Sequence, residues 1–384
     1  MTDRRYDLDW LRIGAFGLLI FYHIGMVFVP WDFHIKTAHP SQAVEAPMLL
    51  LNPWRLSLLF LISGVASRYL LNKTKGRFAS SGCKRLLLPV LFAVAIAVPP
   101  QDWIDVSINH GYRHGFLHFW ANDYWGFDKS LGVVAPTYQH LWFVIYLWVY
   151  TMLLAVTAQI SSASCAAALQ RCFDAILKGS RLIVLPILGF ASARILLVER
   201  FPETHALVDD WYMHLVYGGS FAMGVGLAGS RNAWMTVARV WPYAAAAAVL
   251  SWLVVIRVNQ LADTVTLTPL ELAAARAIRT VQMWGTILGL LGFAQRFLNH
   301  DHRWRATLNE AVFPAYIAHQ TVIIVVEYWL RPYALSGWTE FSILMVATTG
   351  GCVLFYAVGR PILWLRPFIG LSGLLAKNGL STLR

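Results

Sequence analysis

The first long apolar segment of the chain carries two ionisable residues that could do chemistry together. Arg12 and His23 are eleven residues apart, which is about three helical turns, so a helix would place both on one face, roughly 16 Å apart along its axis. Titratable side chains are expensive in lipid and by default mark a functional site there. A neutral imidazole can deprotonate a hydroxyl as a general base or carry an acyl group covalently, and the sequence does not separate these roles. We therefore predict that His23 is catalytic.

Other polar residues in apolar segments are secondary candidates. His319 lies near the middle of a late segment and is predicted either to take part in catalysis or to hydrogen-bond a neighbouring helix. Arg55 lies in the second segment, where its charge could pair with a carboxylate on a bound acyl chain or with Glu327. The remaining candidates have two interpretations. They mark a functional site, or the arginines near segment ends snorkel to the interface and the histidine bonds a neighbouring helix, which is favoured for His214. This last group is Arg194, Arg276, Arg279 and His214.

No metal site is predicted. His110, His114 and His118 are spaced four apart, as ligands on one helical face would be. Gly111 and Gly115 weaken a helix there, and no carboxylate completes the pattern. The four cysteines show no metal-ligand spacing and are expected to be free thiols.

The elements that must position these residues are membrane-spanning helices. Of the 384 residues, 58% are hydrophobic and only 13% are charged, whereas soluble domains carry about 25% charged residues. Apolar runs of roughly 20 residues recur from end to end, and runs of this length cross a bilayer as helices. We predict an all-α, polytopic integral membrane protein with a single domain over residues 1–384. About ten spans are expected, at residues 10–30, 47–71, 85–99, 141–159, 182–198, 211–229, 240–256, 273–297, 308–330 and 341–358.

The charges of the connecting segments predict the orientation of these spans. Basic residues cluster in alternate loops, while the intervening loops are neutral or acidic. The positive-inside rule then places both termini in the cytoplasm, including residues 1–9. The net charge of +11 therefore reflects membrane topology and not nucleic-acid binding. Residues 361–384 mix aromatic and basic side chains and are predicted to lie on the inner membrane surface as an amphipathic tail.

The longest connection, residues 101–140, is predicted to lie on the outer side. It is rich in aromatic residues, among them Trp120 and Trp125. Aromatic rings stack on sugar faces and carboxylates accept hydrogen bonds from hydroxyls, so this loop is predicted to bind a glycan; an interfacial aromatic belt is the alternative. The four aspartates of the loop are Asp102, Asp105, Asp123 and Asp128.

Several short motifs lie along the predicted spans. They are Asp9-Trp10-Leu11-Arg12 followed by Tyr22-His23, Asn52-Pro53-Trp54-Arg55 leading into Phe60-Leu61-Ile62-Ser63-Gly64, Arg85-Leu86-Leu87-Leu88-Pro89, His140-Leu141-Trp142-Phe143, and Tyr316-Ile317-Ala318-His319-Gln320. These motifs resemble those of the membrane acyltransferase-three family. Within that family, Trp31–His34 and Trp54-Arg55 are most similar to the OpgC/MdoC glucan biosynthesis proteins, which succinylate periplasmic glucans.

The resemblance implies ten helices in a bacterial inner membrane, an acyl-CoA donor substrate that enters from the cytoplasm, and no further cofactor. It implies that Arg12 helps to bind the donor and that His23 is the catalytic histidine. Lys84 and Arg85 are predicted to contact the donor phosphates as well, although Gly82 stands where many members have a first arginine.

The acceptor implied by the resemblance is a hydroxyl of an extracytoplasmic glucan or other glycan. His140 and Trp142 are predicted to contact substrate, together with Arg55, Trp120 and Trp125. An acyltransferase that moves a succinyl or acetyl group is therefore the expected function. The alternatives are a transporter or flippase for a sugar or lipid-linked intermediate, and a non-catalytic assembly factor.

Overall fold

The computed structural model describes residues 4–127 and 131–373, and within these ranges the fold is helical, with no strand. Short 3₁₀ turns connect several helices, and a π-helical turn covers Phe119–Asp123. The helices are α1 (Tyr6–Phe28), α2 (Glu45–Leu51), α3 (Arg55–Thr74), α4 (Phe78–Ile96), α5 (Pro99–Asn109), α6 (Phe116–His118), α7 (Trp142–Ile160), α8 (Ala163–Ile176), α9 (Arg181–Leu197), α10 (Trp211–Ala228), α11 (Arg231–Ala262), α12 (Pro269–Phe297), α13 (Arg305–Leu330) and α14 (Gly337–Gly359).

Seven helical segments of the described chain are long and apolar enough to cross a membrane. Helices α8 and α9 meet at 96° and would together supply an eighth, as a broken span or a re-entrant loop. Helices α10 and α12 coincide with two further predicted spans. The prediction of an all-α fold with several membrane-spanning helices is confirmed, and the count of ten spans stays a prediction. The seven segments are Tyr6–Phe28, Gln42–Thr74, Phe78–Ile96, Gln139–Ile160, Arg231–Ala262, Arg305–Tyr333 and Gly337–Gly359.

The described chain forms two compact units. The first contains residues 4–15, 49–82 and 146–309, and the second contains residues 16–48, 83–127, 131–145 and 310–373. The chain passes from one unit to the other within α1, α2, α4, α7 and α13. The histidines of interest, His23, His140 and His319, all belong to the second unit.

In the first unit, α3 and α10 approach each other so closely that only glycine fits at their crossing. A Cβ atom added to Gly64 would lie 2.1 Å from the carbonyl oxygen of Phe221, and one added to Gly224 would lie 2.0 Å from that of Leu61. Small residues allow this kind of backbone approach, which stabilises membrane helix pairs by van der Waals packing. The Ser63-Gly64 motif therefore has a structural explanation.

In the second unit, an apolar cluster fixes α1 against α13 and α14. Ile24, Val27 and Phe28 are spaced as one helical face, and they pack on Ile323 and Leu344. Ile24 directly follows His23, and Ile323 lies one helical turn after His319. Close packing of this cluster therefore holds the two histidine-bearing faces together.

The segment predicted to be a long loop, residues 101–140, contains α5, α6 and the π-helical turn. Val106, Phe119 and Tyr124 form a buried cluster within it. The Trp120 indole donates to the carbonyl of Ala95 at 2.9 Å, and the Tyr124 hydroxyl donates to that of Val94 at 2.7 Å. Many of its aromatic side chains thus pack this segment against itself and against α4.

Two predictions extend beyond the described residues. Of the predicted amphipathic tail, Ile369 and Leu371 are buried beside Tyr356, and residues 374–384 lie outside the described ranges. Asp128, within residues 101–140, also lies outside the described ranges.

Candidate active site

His23 on α1 and His319 on α13 form a hydrogen-bonded pair. His319 Nε2 lies 2.9 Å from His23 Nδ1, and the two ring centroids are 4.9 Å apart. The His319 side chain is fully buried, while His23 is half-buried. The two predicted catalytic residues are therefore in direct contact, although 296 positions separate them.

The contacts of His319 determine which nitrogen of His23 is basic. His319 Nδ1 lies 2.7 Å from the carbonyl oxygen of Tyr316, and because a carbonyl can only accept, this nitrogen must carry a proton. In neutral His319 the other nitrogen, Nε2, is then an acceptor, so it receives the Nδ1–H of His23. Neutral His23 consequently carries its lone pair on Nε2.

His140, the first residue of the His140-Leu141-Trp142-Phe143 motif, contacts the same carbonyl oxygen. Its Nε2 lies 3.1 Å from the carbonyl oxygen of Tyr316, and the Tyr316 hydroxyl donates back to the His140 carbonyl. The His140 and His319 rings are 5.0 Å apart and nearly perpendicular. Within the described residues, the His140 Nδ1 atom is buried without a hydrogen-bond partner. Trp142, two residues on, is buried as well.

A second polar group lies at the start of α5, where Pro99 and Pro100 begin the helix. The Asp102 carboxylate accepts from Gln139 Nε2 at 2.5 Å and from the Thr137 hydroxyl at 3.0 Å. Its side chain is 1% exposed. Burial raises the pKa of Asp102 to about 6, against the opposing effect of the Gln139 and Thr137 hydrogen bonds.

The neighbouring residue, Gln101, bonds α13 next to His319. Gln101 Nε2 donates to the Thr321 hydroxyl at 2.7 Å, and Gln101 Oε1 accepts from Gln320 Nε2 at 3.1 Å. Thr321 in turn donates to the Ala97 carbonyl at 2.6 Å. Two consecutive residues of α5 therefore contact the chain beside both His140 and His319.

The residues predicted to bind the donor lie on two helices. Arg12 on α1 donates from Nη2 to the Asn309 carbonyl at 3.0 Å and to Asn309 Oδ1 at 2.5 Å. Lys84 and Arg85 have exposed side chains on α4. Their roles in donor binding remain predictions.

Arg55 is the first residue of α3 and is 7% exposed. Its Nη1 lies 3.5 Å from the carbonyl oxygen of Asn52. Glu327 on α13 is fully buried. Both interpretations of Arg55, as an acyl-chain contact and as a partner of Glu327, stay predictions.

Many polar and aromatic side chains of residues 101–140, the outer segment, contact other residues of the protein. Trp120 is half-buried, whereas Trp125 is 42% exposed and presents its ring to the surface. Asp105 Oδ2 lies 3.3 Å from His34 Nδ1, and Asp105 Oδ1 accepts from Asn109 at 2.6 Å. Burial acts to raise the pKa of Asp105, but the His34 and Asn109 hydrogen bonds outweigh it, so the pKa lies below its ordinary value.

Within the described residues, no group of three histidine, cysteine or carboxylate side chains could hold a metal ion. The His114 and His118 rings stack at 4.4 Å, and His118 Nδ1 lies 3.2 Å from Asp123 Oδ2. Sequence spacing missed the Asp123 contact because a turn, and not a regular helix, brings the two residues together.

Tyr316, Gln101 and Asp102 are parts of this cluster that the sequence did not predict. Tyr316 stands in a quoted motif, so its position was a usable signal, but its contribution is a backbone carbonyl that any residue would offer. Gln101 and Asp102 stand directly after the third predicted span. A polar pair there is ordinary for a loop, so composition gave no sign of their contacts.

Comparison with known proteins identifies relatives of this chain. The sequence model of the acyltransferase-three family, described as "Acyltransferase domain", matches residues 5–357. The chain is 28% identical over 153 residues to "Glucans biosynthesis protein C" of Escherichia coli strain SMS-3-5, and 27% identical over 153 residues to the proteins of that name from E. coli O1:K1 and O139:H28. Each match covers 40% of this chain and 38% of the relative. No solved structure matches the chain significantly.

The family match extends over nearly the whole chain, whereas the curated relatives match it over less than half of their own length. The family match includes all three residues of the histidine cluster, His23, His140 and His319. The chain therefore belongs to the acyltransferase-three family of membrane acyltransferases.

Proposed function

We propose that this protein transfers an acyl group from cytoplasmic acyl-CoA to a hydroxyl of an extracytoplasmic glucan, and that it resides in a bacterial inner membrane with both termini in the cytoplasm. The observation that carries the proposal is the hydrogen-bonded pair of His23 and His319, whose tautomers leave a basic Nε2 on His23. The family supports acyl transfer, and the names of the relatives support a glucan acceptor.

The chemistry starts at His23 Nε2, which accepts the proton of the sugar hydroxyl as the oxygen attacks the thioester carbonyl. The tetrahedral intermediate then collapses, the carbon–sulfur bond breaks, and the departing thiolate receives the proton from the imidazolium. The products are an ester and free coenzyme A. While His23 is an imidazolium, its Nδ1–H donates a hydrogen bond to His319 Nε2. A hydrogen bond from a charged group is stronger than one between neutral groups, so His319 stabilises this state.

A covalent acyl-imidazole route would use the same nitrogen as nucleophile. This route differs in one observable respect: the acyl group would remain attached to His23 when the acceptor is absent. Rapid quenching of the protein and radiolabelled acyl-CoA, without acceptor, into cold denaturant at neutral pH avoids the acid hydrolysis of an acyl-imidazole. Measurement of the label bound to the protein then distinguishes the two routes.

Donor binding is assigned to Arg12, Lys84 and Arg85. The nucleotide end of coenzyme A carries phosphates, and guanidinium groups bind phosphate through paired, charge-assisted hydrogen bonds. The pantetheine arm is long and mostly uncharged, so it can pass between helices toward His23. Arg55 is assigned to the acyl chain, where a fixed cation would favour succinyl over acetyl groups. His140, Trp142, Trp120 and Trp125 are assigned to the acceptor.

Radiolabelled succinyl-CoA and acetyl-CoA test the proposal directly. The purified protein is reconstituted in proteoliposomes with glucan oligosaccharides, and both label in the glucan and free thiol are measured. Transfer with equal release of thiol supports the proposal. A transporter or flippase would leave both thioesters intact, and that result would reject the enzyme assignment.

A further inference from the structure

Gln101 and Asp102 complete a closed ring of contacts around the histidine cluster. Asp102 bonds Gln139, which precedes His140, and Gln101 bonds Gln320, which follows His319. His140 and His319 themselves meet at one oxygen atom, the carbonyl of Tyr316. The ring therefore runs from α5 to the 3₁₀ turn Gln139–Leu141 before α7, across to α13 and back to α5.

We infer that Gln101 and Asp102 are positioning residues that hold the His140 and His319 segments in register and thereby orient His23. This inference rests on the proposed acyltransferase function. Neither residue contacts the reacting atoms; both act through backbone segments one residue away from a histidine. The imidazole of His319 has one usable acceptor for His23, so a shift of either segment misdirects the base.

The arrangement of the groups explains why these residue types are needed. The Asp102 carboxylate has acceptor sites only, and it uses them on one amide and one hydroxyl donor. The Gln101 amide both donates, to Thr321, and accepts, from Gln320. Because an unpaired polar group in a buried site is destabilising, these bonds favour one arrangement of the three segments.

A purely local role for Asp102 is the main alternative. It stands in the first turn of α5, where a negative charge stabilises the helix N-terminus. That role predicts a loss of thermal stability without a loss of turnover per folded molecule. The positioning role predicts a loss of turnover, because displacement of catalytic groups by about 1 Å can reduce rates by about 10²-fold.

The test compares Asp102→Ala, Asp102→Asn and Gln139→Ala with the wild type and with Asp105→Asn. Asp105 lies on the same helix, and its carboxylate contacts His34 and Asn109 instead of the histidine segments. Turnover, the KM for glucan, donor affinity and the thermal unfolding midpoint are measured for each protein in proteoliposomes. Gln139→Ala removes the amide that donates a hydrogen bond to Asp102 and leaves Asp102 itself in place. It therefore tests the inference even if Asp102→Ala fails to fold.

We expect Asp102→Ala and Gln139→Ala each to lower kcat by about 10- to 100-fold, with donor affinity within about twofold of the wild type. Their double variant should be no worse than the more severe single one, since both remove the same bond. Asp102→Asn should partly restore kcat, because its carbonyl oxygen still accepts from Gln139. Normal kcat in both alanine variants would overturn the inference while leaving the function intact. A wild-type protein inactive on every thioester would instead reject the function itself.

The pH profile provides a readout that a structural role would not change. His34 and Asp105 act on Asp102 electrostatically, the Tyr124 phenol lies near it, and Thr137 and Gln139 bond it. With a pKa of about 6, Asp102 gains a proton as the pH falls through 6. One of its oxygens then carries a hydrogen and the bonds to Gln139 and Thr137 lose their charge assistance, so they weaken. The fall of the wild-type kcat toward low pH should therefore reflect protonation of both Asp102 and the base. In Asp102→Asn the acid side should be shallower, and an identical slope would contradict the inference.

Discussion

Removing the acceptor for His23 is the most informative perturbation of the histidine pair. In His319→Leu the bond between His319 Nε2 and His23 Nδ1, 2.9 Å long, is lost, and with it the tautomer that places the lone pair on His23 Nε2. A hydrogen bond to a charged group contributes about 1.5–3 kcal/mol. Since the bond is strongest when His23 is an imidazolium, most of that energy appears in the barrier, and kcat should fall about 10- to 150-fold.

His319→Gln is the matched comparison, because the glutamine carbonyl can still accept from His23. It should therefore lose less activity than His319→Leu. Turnover is measured with radiolabelled succinyl-CoA and glucan, and donor affinity is measured separately by equilibrium binding. Donor affinity should stay within about twofold in both variants, as expected for an effect confined to the barrier. A His319→Leu protein with wild-type kcat would refute the reasoning from the tautomers.

Three further predictions follow from other parts of the molecule. Arg12→Ala should weaken acyl-CoA binding by about 10- to 150-fold, the loss of one charge-assisted contact, with a smaller effect on kcat; unchanged affinity by calorimetry would remove Arg12 from the donor site. Arg55→Gln should lower the ratio of succinyl to acetyl transfer in a competition assay, and an unaltered ratio would leave only its structural interpretation. Gly64→Ala should destabilise the protein by about 1–3 kcal/mol or more, because the added Cβ meets the Phe221 carbonyl at 2.1 Å. Gly17→Ala is its control, since nothing lies within 4 Å there, and equal unfolding midpoints for the two would contradict the packing argument.

Helix positions could be predicted from the sequence because apolar length is a local property. A run of roughly 20 apolar residues has few alternatives to a helix in lipid, and helices are found at each predicted span. The bend between α8 and α9 was not foreseen. It depends on the break near Gly179, whose φ is +62°, a conformation that glycine adopts easily.

The hydrogen-bonded pair of His23 and His319 could be predicted only in part. His23 was singled out because of its spacing from Arg12, a feature within one helix. Its contact with His319 spans 296 positions and depends on the packing of Ile24 and Val27 on Ile323. Such tertiary contacts leave no periodic signal in a single sequence.

The residue types of residues 101–140 predict a glycan-binding surface, and that stays a prediction. They do not reveal that Asp102 is 1% exposed and bonded to Thr137 and Gln139. The two prolines at 99 and 100 were a helix-start signal that the loop interpretation of residues 101–140 overlooked. Side-chain type alone did not distinguish an aspartate that binds ligand from one that holds the fold.

The central claim is that His23 is the base in acyl transfer from acyl-CoA to a glycan. Transfer of label from succinyl-CoA or acetyl-CoA to glucan, measured for wild-type and His23→Gln protein in the same proteoliposomes, tests it most directly. Glutamine is polar and similar in size but cannot accept the proton, so transfer should fall by about two orders of magnitude or more while expression and donor affinity persist. A His23→Gln protein that acylates glucan at the wild-type rate would contradict the account.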